Sequence, residues 1–253
     1  MSSSANVRSE QRGSAQIVTI SRPEKKNALD RRTAAALSDA IESASQDAGV
    51  RGVVLLGEGD VYLSGGDLGE IAKALENEDG ADQVLEMGRL LAAIERASVP
   101  VVAAVSGDVF GGGCELVLLC DYVIVEVSAG FSFRHARMGL SPAWGGAARL
   151  LERLGPQHAA RLLFTADRVP ASEAVALGLA ATSVPDGAAA AHALDFVERV
   201  ARADRAVVAE QKSLLARLRA AARGDAADIE AKSFRALWGQ PAHRAAMTRP
   251  RKA

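Results

Sequence analysis

The chain has 253 residues, 49% of them hydrophobic, which is enough for a sizeable core without disulfide or metal staples. Thirty Lys and Arg against 31 Asp and Glu leave a formal net charge of −1, which argues against a nucleic-acid groove or a membrane-surface partner. Two cysteines, Cys114 and Cys120, share one apolar segment with neither metal-ligand spacing nor a disulfide framework, so a reduced, cytoplasmic setting is expected.

Residues 1–12 are polar and are expected to be flexible, with no secretory signal. Residues 16–20 alternate like a strand, and 22–27 form a charged loop broken by Pro23. Asp30 caps a predicted helix to about residue 46, with Ala34, Leu37, Ile41 and Ala44 on one face. A short strand at 53–56 is followed by Ser64-Gly65-Gly66-Asp67-Leu68, a glycine turn leading into a helix. A further helix, about 81–96, ends before Pro100. Then comes the apolar strand 101–105 and a second turn, Gly111-Gly112-Gly113-Cys114-Glu115-Leu116, entering a buried helix. A strand at 121–125 precedes a mixed segment at 131–135 and a loop at 139–146 holding Pro142 and Trp144. Helices at 147–154 and 156–165 are separated by Gly155; a helix at 171–177 and a strand at 181–184 follow. From residue 188 the pattern is helical only, with helices at about 188–203, 205–223 and 225–238. The alternation predicts an α/β core over 13–187 and a helical region over 188–253.

The two glycine turns share a design: strand, glycines, then a helix with an acid near its start. Helix starts carry free N–H groups and partial positive charge, which suit an anion bound or developing during a reaction. If Gly66 and Gly112 each aim an N–H at one point, they form an oxyanion hole. That arrangement would stabilise a thioester or ester enolate, or a tetrahedral oxyanion. No phosphate-binding loop, G-x-S-x-G nucleophile elbow or histidine metal spacing competes with this reading.

Four motifs in order now carry a resemblance: Arg22-Pro23 through Asn27-Ala28-Leu29; Ser64-Gly65-Gly66-Asp67-Leu68; Gly107 through Gly111-Gly112-Gly113-Cys114-Glu115-Leu116 to Cys120-Asp121; and Met138-Gly139-Leu140 through Pro142 to Gly145-Gly146 and Arg149-Leu150. From about Ile17 to its end the chain resembles the crotonase (enoyl-CoA hydratase/isomerase) superfamily. The resemblance implies a spiral of ββα turns followed by a helical C-terminal trimerisation region. It implies homotrimers, or dimers of trimers, acting on acyl-CoA thioesters. By it, Gly66 and Gly112 are the two oxyanion donors, and Lys26, Ala28, Ser64, Asp67 and Leu68 match the segments that cradle CoA. Coenzyme A is then part of the substrate rather than a cofactor, and no metal is implied.

Enoyl-CoA hydratases of this kind use two glutamates. The first matches Glu115; the second would stand twenty positions on, where this chain has His135. Histidine's ordinary pKa of about 6.5 suits a general acid or base, which is one role open to His135. Alternatively it holds a substrate carboxylate with Arg134 or Arg137, or merely packs. The run Phe133 to Gly139 with Pro142-Ala143-Trp144-Gly145-Gly146, and the late segment Leu237 to Ala242, look like the ethylmalonyl-CoA decarboxylase branch. That likeness favours decarboxylation of a malonyl-type acyl-CoA by a lyase. Hydration by Glu115 and His135 is the alternative, and a non-catalytic CoA- or protein-binding scaffold the alternative of another class. Against decarboxylation, Glu115 would repel a departing carboxylate unless protonated or turned away. Trp144 is expected to line the acyl pocket or to pack. Cys114 and Cys120 read as buried and inert, His243 as solvated or capping, and the basic tail with Arg244, Arg249, Arg251 and Lys252 as solvated, the alternative being contact with the CoA phosphates of a neighbouring subunit.

Overall fold

The computed structural model describes residues 6–249. Strands β1 (Val7–Arg12) and β2 (Ala15–Ile20) form an antiparallel hairpin, and α1 (Arg31–Gln46) follows. Three spiral turns then repeat one pattern. The first is β3 (Gly52–Gly57), β4 (Val61–Leu63) and helices α2 (Leu68–Ala74), α3 (Gly80–Leu91) and α4 (Ala93–Arg96). The second is β5 (Val101–Val105), β6 (Asp108–Phe110) and α5 (Gly112–Leu119). The third is β7 (Tyr122–Glu126), β8 (Gly130–Ser132) and α6 (Gly146–Thr165). The chain continues through β9 (Val169–Pro170), α7 (Ala171–Leu177), β10 (Thr182–Val184), α8 (Ala189–Val200), α9 (Arg205–Arg223), α10 (Ala226–Leu237) and α11 (Pro241–Thr248).

The first strand of each spiral turn joins a six-stranded sheet, β1-β2-β3-β5-β7-β10; the second joins a four-stranded sheet, β4-β6-β8-β9. Within the spiral all pairings are parallel. Parallel pairing of β4 with β6, Leu63 opposite Val109, brings the two glycine turns out at the same end of neighbouring strands. Every residue of β5 is buried, as expected of a parallel strand covered on both faces. On one face Val53, Leu55, Val101, Ala103 and Val105 pack with Leu37 and Ile41 of α1 and Leu116 of α5. On the other, Val54, Val102, Ala104 and Ile124 pack with Ala189, Ala193 and Val197 of α8. The first helix beyond residue 188 is therefore part of the sheet's cover.

The expected flexible start is corrected from Val7 onward. The Val7 side chain is buried and the backbone pairs from Val7–Ile20 to Arg12–Ala15, although residues 8–12 are exposed. An edge strand hydrogen-bonds through its backbone whatever its side chains, so polarity alone misleads there. Residues 1–5 lie outside the described residues. The split at Gly155 is present as a non-helical residue (φ 73°, ψ 173°) inside α6. Among the described residues no helix is long and apolar enough to cross a membrane.

Candidate active site

A cavity of about 740 Å³ opens where β4 and β6 end. Of the ten residues singled out from the sequence, eight line it: Lys26, Ala28, Ser64, Gly66, Asp67, Leu68, Gly112 and His135. Its wall also carries Lys25, Arg134, Arg137 and Arg249 against the acids Glu24 and Asp67, a surplus of positive charge suited to a polyanion. Arg134 lies over the Phe110 ring, its guanidinium carbon 3.6 Å from the centroid. Leu29 pairs with the first glycine turn: its N–H donates to Gly65 O at 2.7 Å and its carbonyl accepts from Asp67 N at 2.8 Å. That bridge sets the Lys26–Ala28 segment beside Ser64 and Gly66. Lys26 and Asn27 adopt left-handed backbone (φ 53° and 54°), an uncommon state for such residues. The buried Asn27 amide holds it there, accepting from Arg22 N at 2.9 Å and donating to Glu58 O at 2.7 Å and Val61 O at 2.8 Å.

The two glycine turns touch. Gly65 has φ 96°, and a Cβ built on it would sit 2.9 Å from Gly112 N. Among the described residues neither Gly66 N–H nor Gly112 N–H has a protein acceptor, and both residues face the cavity. Two free donors on adjoining turns are what an oxyanion requires. Trp144 packs beneath both: a Cβ on Gly112 would meet its ring at 2.3 Å and one on Gly66 at 3.8 Å. Its indole Nε1 donates to Val84 O at 2.9 Å. Trp144 is buried and lies outside the main cavity; it walls a smaller one of about 70 Å³ behind Gly66, with Ile71 and Met87.

The two acids at these turns do different things. Asp67 caps α2, accepting from Gly69 N at 2.8 Å and Glu70 N at 3.4 Å, and pairs with Arg22 at 2.9 Å. Burial opposes its ionisation, yet the Gly69 N–H and the Arg22 guanidinium hold its carboxyl below the usual range. Although it borders the cavity, its carboxylate is occupied within the fold. Glu115, 2% exposed, turns away from the cavity. It accepts from the N–H groups of Ala143 at 3.2 Å, Trp144 at 2.7 Å and Gly146 at 2.9 Å. Its Oε1 also receives His135 Nε2 at 2.9 Å. Because a carboxylate oxygen only accepts, Nε2 carries the proton in that bond, and the buried Nδ1 has no protein partner. Gly146 must be glycine, since a Cβ there would strike Glu115 Cγ at 2.4 Å.

The sequence pattern of the enoyl-CoA hydratase/isomerase family matches residues 10–249, nearly the whole chain. The protein belongs to that family. It is 35% identical over 166 residues to the crotonyl-CoA hydratase of Syntrophomonas wolfei, covering 64% of this chain and 63% of that one. It is 29% identical over 205 residues to the ethylmalonyl-CoA decarboxylase of Gallus gallus, covering 80% of this chain and 69% of that one. The chain thus spans about two thirds of the length of these relatives. In three dimensions it matches an enoyl-CoA hydratase/isomerase from Mycobacterium paratuberculosis with TM-score 0.89 and 25% identity, over 97% of this chain and 98% of that one. The fold is the crotonase spiral, as the sequence motifs implied.

Within this family frame, several site residues escaped the sequence reading. Arg22 and Asn27 stand in a recognised motif, but their structural task, clamping the Lys26 turn, shows only in three dimensions. Ala246 of α11 and Arg249 just after it line the cavity, and α11 packs on residues 136–138, so the described part of the tail is not merely solvated; Arg251 and Lys252 lie outside the described residues. His243 is fully buried; its Nδ1 accepts from Gly239 N at 3.1 Å, a capping bond, but it is not solvated. Glu230 of α10 reaches the same turn as Glu115, a pairing with no local sequence signal. Burial keeps both thiols inert; it pushes Cys120 up to about 12 and Cys114 higher still.

Proposed function

We propose that this protein is an acyl-CoA lyase that decarboxylates a malonyl-type thioester, of the methylmalonyl or ethylmalonyl kind. One observation carries the reading: Glu115 is buried and bound by three backbone N–H groups and His135, so His135 is the acid/base group of that pair that borders the cavity. Hydration calls for two groups to hold and deprotonate water, whereas decarboxylation calls for one proton delivery. The objection that Glu115 would repel a departing carboxylate is met, because its oxygens point into the Ala143–Gly146 turn.

In this reading the thioester oxygen sits on the N–H groups of Gly66 and Gly112. The bond from Cα to the carboxylate breaks, CO₂ leaves, and the electron pair becomes the thioester enolate those donors stabilise. Protonated His135, held through Nε2 by Glu115, gives one proton to Cα and is left neutral. Lys26, Ala28, Ser64 and Leu68, with the cationic wall, take CoA, which is part of the substrate; no separate cofactor or metal enters. Hydration by Glu115 and His135 remains the second reading, favoured by the similarity to a crotonyl-CoA hydratase. Homotrimers or dimers of trimers belong to the same proposal: Phe164 is 78% exposed, and Leu151, Leu215 and Leu218 present further apolar surface from α6 and α9.

Methylmalonyl-, ethylmalonyl- and crotonyl-CoA, each incubated with the protein and followed by mass spectrometry, test the choice. Loss of CO₂ from either malonyl-type thioester is expected; addition of water to crotonyl-CoA alone would transfer the assignment to hydration, and no turnover of any would favour the non-catalytic scaffold. His135→Ala should lower turnover by about 10²–10⁴ with little change in CoA affinity. Sedimentation analysis of the purified chain reads the assembly.

A further inference from the structure

Six consecutive backbone N–H groups, from Ala143 to Ala148, go to only two side chains, both buried carboxylates. Glu115, from α5, takes Ala143, Trp144 and Gly146. Glu230, from α10, takes Gly145 at 2.6 Å, Ala147 at 3.0 Å and Ala148 at 3.4 Å. The bonds interleave, so the turn and the start of α6 are gripped from both sides. We propose that Glu230 is a positioning residue of the active site: by occupying the Gly145, Ala147 and Ala148 N–H groups, it keeps Glu115 on His135 and Trp144 beneath the oxyanion donors.

Several observations argue for more than a helix cap. An ordinary N-cap is a Ser, Thr, Asp or Asn next to the helix, whereas Glu230 lies 85 residues from Gly145. Burying two carboxylates against one turn is costly. Burial, and then the proximity of Glu115, push Glu230 up to about 7. Other charges on the packed elements are engaged elsewhere. Arg149 of α6 donates to the carbonyls of Trp144 and Gly145 and pairs with Glu95 of α4, while Asp82 of α3 pairs with Arg235. Without the Glu230 carboxylate, three N–H groups next to Glu115 lose their acceptor. Glu115 is then drawn toward them and away from His135 Nε2, and the Trp144 main chain, bonded between the two acids, shifts under Gly66 and Gly112.

The inference rests on the enolate chemistry above only for its kinetic readout. In Glu230→Gln, the imidazole ¹⁵N resonances of His135 are followed against pH without substrate, and kcat and KM are measured on whichever acyl-CoA the wild type turns over. The expected result is a displaced His135 Nε2 signal and titration, with kcat lowered about tenfold or more and KM changed little. A purely structural cap would leave the His135 signal where it is. An unchanged signal, or an unchanged kcat beside a displaced signal, overturns the proposal. If the wild type turns over no acyl-CoA, the functional reading fails and the His135 resonances alone decide this one. Glu230→Asp, which keeps the charge on a shorter arm, is measured the same way should Glu230→Gln not fold.

Discussion

The Gly65–Gly66 and Gly111–Gly113 turns have nearly the same local recipe, yet their surroundings differ. A Cβ on Gly66 would meet the flexible tip of Ile71 at 3.1 Å, whereas one on Gly112 would enter the Trp144 ring at 2.3 Å. The acid after the first turn, Asp67, stays local, capping its own helix and holding Arg22. The acid after the second, Glu115, reaches 28 to 31 residues along the chain to the turn that starts α6. One donor is thus built on a self-contained loop and the other on a stack that depends on Trp144, Glu115 and the C-terminal helices. Equal sequence patterns can supply equal N–H groups while placing very different demands on the rest of the fold.

Breaking the stacked side should have the largest effect. Gly112→Ala is expected to cost about 1–3 kcal/mol through overpacking against Trp144. It should also lower kcat by about 10²–10³ through a displaced donor, read by urea denaturation and steady-state assay.

The pH dependence of stability sharpens the contrast, because the acids on the two sides have opposite signs. Glu230, raised to about 7 from an ordinary 4.5, binds its proton more tightly folded than unfolded. Its stabilising contribution is complete below the unfolded value and is lost as pH rises through 7, a change on the order of 3 kcal/mol. Asp67, lowered from 3.8, contributes above that value and loses its contribution as pH falls below it. Urea midpoints from pH 3 to pH 9 (roughly the range set by these two groups) should show both limbs. Glu230→Gln should flatten the upper limb and leave the lower one.

Gly66→Ala is a milder test. The Ile71 tip can move, so a stability loss below about 1 kcal/mol is expected, with a smaller fall in kcat than for Gly112→Ala. A fall as large as that of Gly112→Ala would show that the two donors are equally constrained. The smallest effect on kcat is expected for Asp67→Asn, which loses one member of the Arg22 pair while Asp30 stays at 3.2 Å from that guanidinium. About 1 kcal/mol of stability and nearly unchanged kcat are expected, measured by the same two assays.

What the sequence determined by itself was local. Apolar spacing placed α1 with Ala34, Leu37 and Ile41 inward, and the apolar run of β5 marked a strand covered on both faces. The glycine turns and the His135 position were readable because a positive φ, a close backbone approach and motif spacing leave marks on neighbouring residues. Tertiary structure decided the rest. The four-stranded sheet is built from pieces of two or three residues, too short for alternation to show. Strand β1 hides its pairing behind polar side chains. Asp67 and Glu115 look alike as acids at helix starts, and only the fold gives one to its own helix and the other to a distant turn. Glu230 and α11 reach the site from the far end of the chain. Their contribution is a hydrogen bond or a packed face whose partner lies far away in sequence, and such a partner leaves no trace in the residues beside it.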